Sequence, residues 1–240
     1  MTKDKGRAFT TWSILKESYQ IIKPKFWEIT GRFLLIAIFF IAVDIVFDKV
    51  GIMKFISSAF FSFCLVVFGF TYAEGKHKFT LDLLLKKINS RKTLVYFSAY
   101  ILSTLAILGA SILFVIYLVF NFDNPNVLSV VLAFPGMYVA ILLFFVKYIT
   151  VDREVKPRDA LKESIKMTKG NRFALVEYLL VIIIVNMLGA LALGVGLLFT
   201  VPLTIVGTTL IYKKLSKHHT EKVHVEEAPE VVEAEIVEPV

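Results

Sequence analysis

The sequence has almost no cysteine. Cys64 is the only one in 240 residues, so no intramolecular disulfide can form and cysteine usage assigns no redox compartment. It sits in an apolar run and is read as a small packing residue. The four histidines, His77, His218, His219 and His224, have no Cys or carboxylate set at ligand spacing, so no metal is expected. Catalytic signatures are missing as well. There is no Gly-rich phosphate loop, no Gly-x-Ser-x-Gly and no His-Glu-x-x-His, which leaves no nucleophile and base to name and no cofactor to expect.

Charge is absent over long stretches. With 57% hydrophobic residues and a mean hydropathy of +0.72, the chain exceeds the apolar share of a soluble domain, roughly 45–50%. A helix crossing the hydrocarbon core of a bilayer needs about 20 apolar residues. Six runs approach or meet that length: residues 33–50, 55–73, 93–120, 127–146, 173–193 and 197–212. A rival count of five fuses the last two. The Gly194-Val195-Gly196 step and Pro202 argue for two helices joined by a tight turn, because proline suits a first turn and disrupts an interior. The first run has no small-residue cleavage pattern after it and is expected to be retained.

Basic residues are missing from alternate links. Lys and Arg number 7 before span one, 6 between spans two and three, 8 between four and five and 4 after span six, against 2 (Lys49 and Lys54) between one and two. The links after spans three and five have none. By the positive-inside rule both termini are cytoplasmic. The net charge of +7 therefore lies beside apolar spans, where anionic inner-leaflet lipid is the expected partner and nucleic acid is not. Residues 218–240, with seven Glu and one Lys, lack large apolar side chains and are expected to form a disordered acidic tail. Residues 1–217 are expected to form one membrane domain.

What is present is a repeat. Leu15-Lys16-Glu17-Ser18 before span one recurs as Leu161-Lys162-Glu163-Ser164 before span five. Lys23 matches Lys169, a breaker follows in each (Pro24, Gly170), and an aromatic comes next (Trp27, Phe173). Trp12, Leu15, Tyr19 and Ile22 recur at helical spacing, as do Ala160, Leu161 and Ile165, so residues 11–23 and 157–169 read as amphipathic helices on the inner surface. Residues 82–92, with Leu84, Leu85 and Ile88 among lysines, read as a third. The expected fold is all-α: three hairpins, each preceded by a surface helix, with self-association or a membrane complex possible for such a design.

Phe134-Pro135-Gly136-Met137-Tyr138, Ala160-Leu161-Lys162-Glu163-Ser164 with Thr168-Lys169-Gly170, and the Gly194–Pro202 segment resemble a broad, poorly characterised group of prokaryotic multipass proteins. That group includes domain-of-unknown-function families and the membrane domain attached to some glycerophosphodiester phosphodiesterases. The resemblance implies six spans in a prokaryotic cytoplasmic membrane and no activity.

Ionisable groups inside spans are costly and mark candidate sites. Asp44 lies in the outer half of span one. Glu74 and Glu177 lie near the inner interface, with Lys147 at a depth to pair with either. Asn186 is the deep neutral amide of span five, suited to an interhelical hydrogen bond. Pro135-Gly136 is a candidate break in span four, as are Gly194, Gly196 and Pro202 at the last turn. Three functions remain open: a non-enzymatic organiser or sensor of the inner leaflet, a small-solute transporter or channel, and a lipid-modifying enzyme without a recognisable motif. The topology predicts that, in a Cys64→Ser background, Lys3→Cys and Lys217→Cys are both shielded from an impermeant maleimide in intact cells while Val195→Cys is labelled. Labelling of one terminus alone would contradict it.

Overall fold

A computed structural model describes residues 8–75, 79–88, 91–120, 127–153, 155–192 and 194–226. The described residues form eleven α-helices: α1 Thr11–Ile22, α2 Phe26–Val46, α3 Gly51–Ala73, α4 Leu81–Ile88, α5 Arg91–Ala110, α6 Ile112–Phe120, α7 Val127–Leu142, α8 Val146–Asp152, α9 Pro157–Thr168, α10 Arg172–Leu191 and α11 Leu197–Glu226. A 3-10 turn, Lys23–Lys25, joins α1 to α2 around Pro24. Five stretches are long and apolar enough to cross a membrane: Thr11–Val46, Gly51–Ala73, Thr93–Ala110, Val131–Asp152 and Arg172–Leu191. Their outer sides stay apolar; α2 alone exposes Leu35, Ile38, Phe39, Ile41, Ile45 and Val46, a patch that lipid covers and water would not.

Local chemistry sets the helix ends. Thr10 caps α1, its Oγ1 accepting from the Ser13 N–H at 3.4 Å, and Pro157 opens α9 with Asp159 in the first turn. The chain leaves α9 through Gly170 (φ +86°) and turns from α10 to α11 through Gly194 (φ +75°), a region that costs other residues a steric penalty.

α11 is the post around which α1, α2, α3, α9 and α10 stand. A Cβ on its Gly207 would lie 2.7 Å from Tyr178 Oη of α10, 3.0 Å from Ser18 Oγ and 3.3 Å from Ile14 Cγ2 of α1. Gly69 of α3 has no room for a Cβ against Thr209 and Ile205, and a Cβ on Gly196 would lie 2.6 Å from the Gly189 backbone. These are the small-residue contacts that let helix backbones approach in lipid. Several buried hydroxyls are satisfied locally: Thr71, Thr150, Thr208 and Thr209 each donate to the carbonyl four residues back, and Tyr178 Oη donates to the Thr204 carbonyl at 3.1 Å.

Several expectations change. The third stretch is interrupted at Ser111, between α5 and α6. The fourth passes through Pro135, which sits inside α7, and breaks instead over residues 143–145. Gly136 gives close packing: a Cβ there would collide with Ser111, so the glycine admits the residue that interrupts the neighbouring helix. Pro202 likewise lies inside α11. α1 does not simply float on its Trp12–Tyr19 stripe. Thr11, Ile14, Ser18 and Ile22 are buried, while Trp12 is 76% and Tyr19 45% exposed. The tail expected from residue 218 begins inside α11, which runs to Glu226; residues 227–240 lie outside the described residues, as does His77.

Ser164 explains where the fourth stretch breaks. Its Oγ donates to the Leu142 carbonyl at 2.8 Å and accepts from the Phe145 N–H at 3.3 Å, capturing both groups that the interrupted ladder releases. Ser18, at the matching position of the repeated sequence, donates only within its own helix, to Ile14 at 2.8 Å. Ser164→Ala should therefore cost about 1–3 kcal/mol, the penalty of orphaned buried groups, and Ser18→Ala about 1 kcal/mol or less. Denaturant unfolding in micelles measures both, and equal losses would contradict the assignment.

Candidate functional site

In α5, Tyr96, Tyr100, Ser103, Thr104 and Ile107 fall at steps of four, three, one and three, one face of a helix. The break over residues 143–145 starts α8 so that Lys147 meets that face. Together with Ser62 of α3 and Ala140, Leu143, Phe144 and Val146, these residues line a cavity of about 350 Å³. Tyr96 is 1% exposed, its ring held edge-on by Phe63 at 5.0 Å and stacked with Tyr100 at 6.2 Å. Its buried hydroxyl faces that of Ser62 on α3 without a well-formed hydrogen bond among the described residues. Ser103 and Thr104 both donate to the Tyr100 carbonyl, at 2.9 and 2.8 Å, so each presents only its oxygen to the cavity.

Lys147 is the cation of this space. Its Nζ lies 5.8 Å from the Phe144 ring centre and 5.5 Å from that of Tyr148, and among the described residues no carboxylate pairs with it. The expected pairing with Glu74 or Glu177 gives way to other partners. Glu74 takes Lys213 at 3.0 Å, Asp152 accepts from Tyr212 at 2.8 Å, Glu163 holds Arg153 at 2.6 Å and Glu17 holds Lys214 at 2.6 Å. Two ring faces recover about 1–2 kcal/mol, less than the several kcal/mol an ammonium loses on leaving water.

The other candidates are not brought together. Asp44 is exposed near the end of α2, and Glu177 is exposed on α10. Asn186 is half-buried in α10, its side-chain oxygen buried without a partner among the described residues. Gly194 and Gly196 form the turn into α11. Sequence reasoning found Lys147 but not its surroundings, although the hydroxyl spacing along α5 was there to read.

A second recess of about 650 Å³ lies between α5 and the start of α9, lined by Ser98, Ile101, Leu102 and Leu105 on one side and by Lys156, Pro157, Arg158, Asp159 and Lys162 on the other. It sets three cations and one carboxylate above an apolar wall.

A family described as Protein of unknown function (DUF975) matches residues 125–219. The matched stretch runs from just before α7 into α11, and Pro135, Ser164 and Gly194 fall within it. No curated protein and no solved structure matches the chain.

An uncompensated lysine contributes nothing favourable to folding. Lys147→Met should leave stability unchanged or raise it by about 1–2 kcal/mol, read from denaturant unfolding in micelles; a loss of that size would show a hidden partner for the ammonium.

Proposed function

We infer that the chain is a six-span protein of a prokaryotic cytoplasmic membrane, with both termini inside, that organises or senses the inner leaflet without carrying out chemistry. The observation that carries this reading is the recess between α5 and α9. An anionic phospholipid would place its headgroup among Lys156, Arg158 and Lys162 and an acyl chain along Ile101, Leu102 and Leu105. That is how basic pockets between membrane helices take such lipids.

The sixth span would be the outer part of α11. Its apolar run, residues 197–212, is short for lipid, but α11 is wrapped by α1, α2, α3 and α10, so neighbours supply what hydrocarbon otherwise would. The lysine-free turn at 194–196 and the ion pair of Lys54 with Asp48 at 2.5 Å, which offsets one of the two outer lysines, support an outward face there. Matched burial supports the repeat: Ile14, Ser18 and Ile22 are buried in α1, and Ala160, Ser164 and Thr168 in α9. Each adjoining glutamate, Glu17 or Glu163, reaches a basic residue. These surface helices would serve as clamps between lipid and bundle, showing lipid a face such as Trp12 and Tyr19 and showing the protein the opposite one.

A second reading, a small-solute transporter or channel, draws on the cavity at Lys147. Proteoliposome flux separates the two, since the first predicts none.

Neutralising Lys156, Arg158 and Lys162 together to Gln removes about 1 kcal/mol per cation. Affinity for phosphatidylglycerol in nanodiscs, followed by native mass spectrometry, should then fall on the order of 100-fold. An unchanged preference for phosphatidylglycerol over phosphatidylcholine would overturn the assignment.

A further inference from the structure

We propose that the cavity beside Lys147 is a binding site for a small, singly charged oxyanion that also carries a hydroxyl group, of the hydroxycarboxylate or dihydrogen-phosphate type. This holds whichever reading of the overall function is correct, because it concerns binding and not flux. Three independent features converge on it. Lys147 supplies the cavity's charge and no carboxylate among the described residues answers it, so the space favours one negative charge. Tyr96 is fully buried, and its hydroxyl faces another hydroxyl, that of Ser62, without a well-formed hydrogen bond among the described residues; a buried hydroxyl is ordinarily fully satisfied, and a ligand oxygen between the two would do so. The third feature is the division of donors from acceptors. Lys147, Tyr96, Tyr100 and Ser62 have protons to give, whereas Ser103 and Thr104 have committed theirs to the Tyr100 carbonyl and offer only lone pairs. A bare anion would leave those oxygens unmatched, and a hydroxyl on the ligand would donate to them.

Size sets the class. About 350 Å³ is the volume of on the order of ten waters at roughly 30 Å³ each, enough for a short hydroxy acid or a phosphate with water and too little for a whole phospholipid. A glycerol phosphate headgroup carries the same oxyanion and hydroxyl, so lipid and solute are two sources of one chemistry.

The test uses the full chain in phosphatidylcholine nanodiscs, titrated calorimetrically with lactate, with inorganic phosphate and with propionate, which lacks the hydroxyl. Lactate or phosphate should bind at one site, and lactate more tightly than propionate by roughly threefold or more. Lys147→Gln should weaken binding roughly tenfold or more, and Tyr96→Phe about three- to tenfold, as expected for a charged and a neutral hydrogen bond. Lys147→Arg should restore most of the affinity, which guards against reading a misfolded variant as a lost site. Discs doped with phosphatidylglycerol form the second arm: loss of the soluble-anion signal, dependent on Lys147, assigns the headgroup as the source, and its persistence assigns a solute. The proposal is overturned if the wild type binds neither soluble anion and shows no Lys147-dependent preference for phosphatidylglycerol, or if binding survives Lys147→Gln. Propionate binding as tightly as lactate overturns the hydroxyl requirement.

Discussion

In lipid, apolar side chains gain nothing by leaving one apolar surroundings for another, so helices associate where their backbones can come close. In this protein those places converge on α11. Gly207 admits Ile14, Ser18 and Tyr178; Gly69 admits Thr209 and Ile205; Gly189 and Gly196 meet backbone to backbone. A methyl group at any of these positions would push a helix away from the post. α11 is accordingly the most enclosed long helix, with Val206, Thr209, Ile211 and Tyr212 at 0–1% exposure, although it is not among the five stretches apolar and long enough to span by themselves.

The second constraint follows from the first. With α9 held under the bundle, Ser164 faces the point where α7 ends and captures the released Leu142 carbonyl and Phe145 amide. That interruption turns α8 into the core, where Phe145, Tyr148 and Tyr212 pack at 5.8–6.1 Å. The same turn carries Lys147 to the hydroxyl face of α5. The polar cavity thus depends on a serine of α9, which links the Leu-Lys-Glu-Ser sequence to the site.

Hydropathy and turn chemistry made the helices legible: charge-free runs, Pro157 opening α9, Gly170 closing it, and Gly194 turning α10 into α11. Contacts across the sequence were not legible. Pro135-Gly136 looked like the break because proline is a local signal, whereas the actual one depends on a serine 22 residues from Leu142. The buried face of α1 was not legible because the large rings of Trp12 and Tyr19 read as the apolar stripe and the Ser18 hydroxyl as polar, whereas the close approach of Gly207 makes Ser18 a packing residue. Lys147 stood out as a charge in an apolar run; its hydroxyl neighbours did not, since Ser, Thr and Tyr carry little hydropathy signal inside a span.

The claim on which the account rests is that α1 is seated on α11 at Gly207. Ser18 Oγ lies 3.0 Å from the Cβ position of Gly207, which puts the two β-carbons at most about 4.5 Å apart, within reach of a disulfide. In a Cys64→Ser background, oxidation of the Ser18→Cys, Gly207→Cys pair in native membranes should give near-complete intramolecular cross-linking, while Trp12→Cys with Gly207→Cys should give almost none. Equal, weak cross-linking of both pairs would mean that α1 lies free on the membrane surface, and the arrangement built on α11 would be wrong.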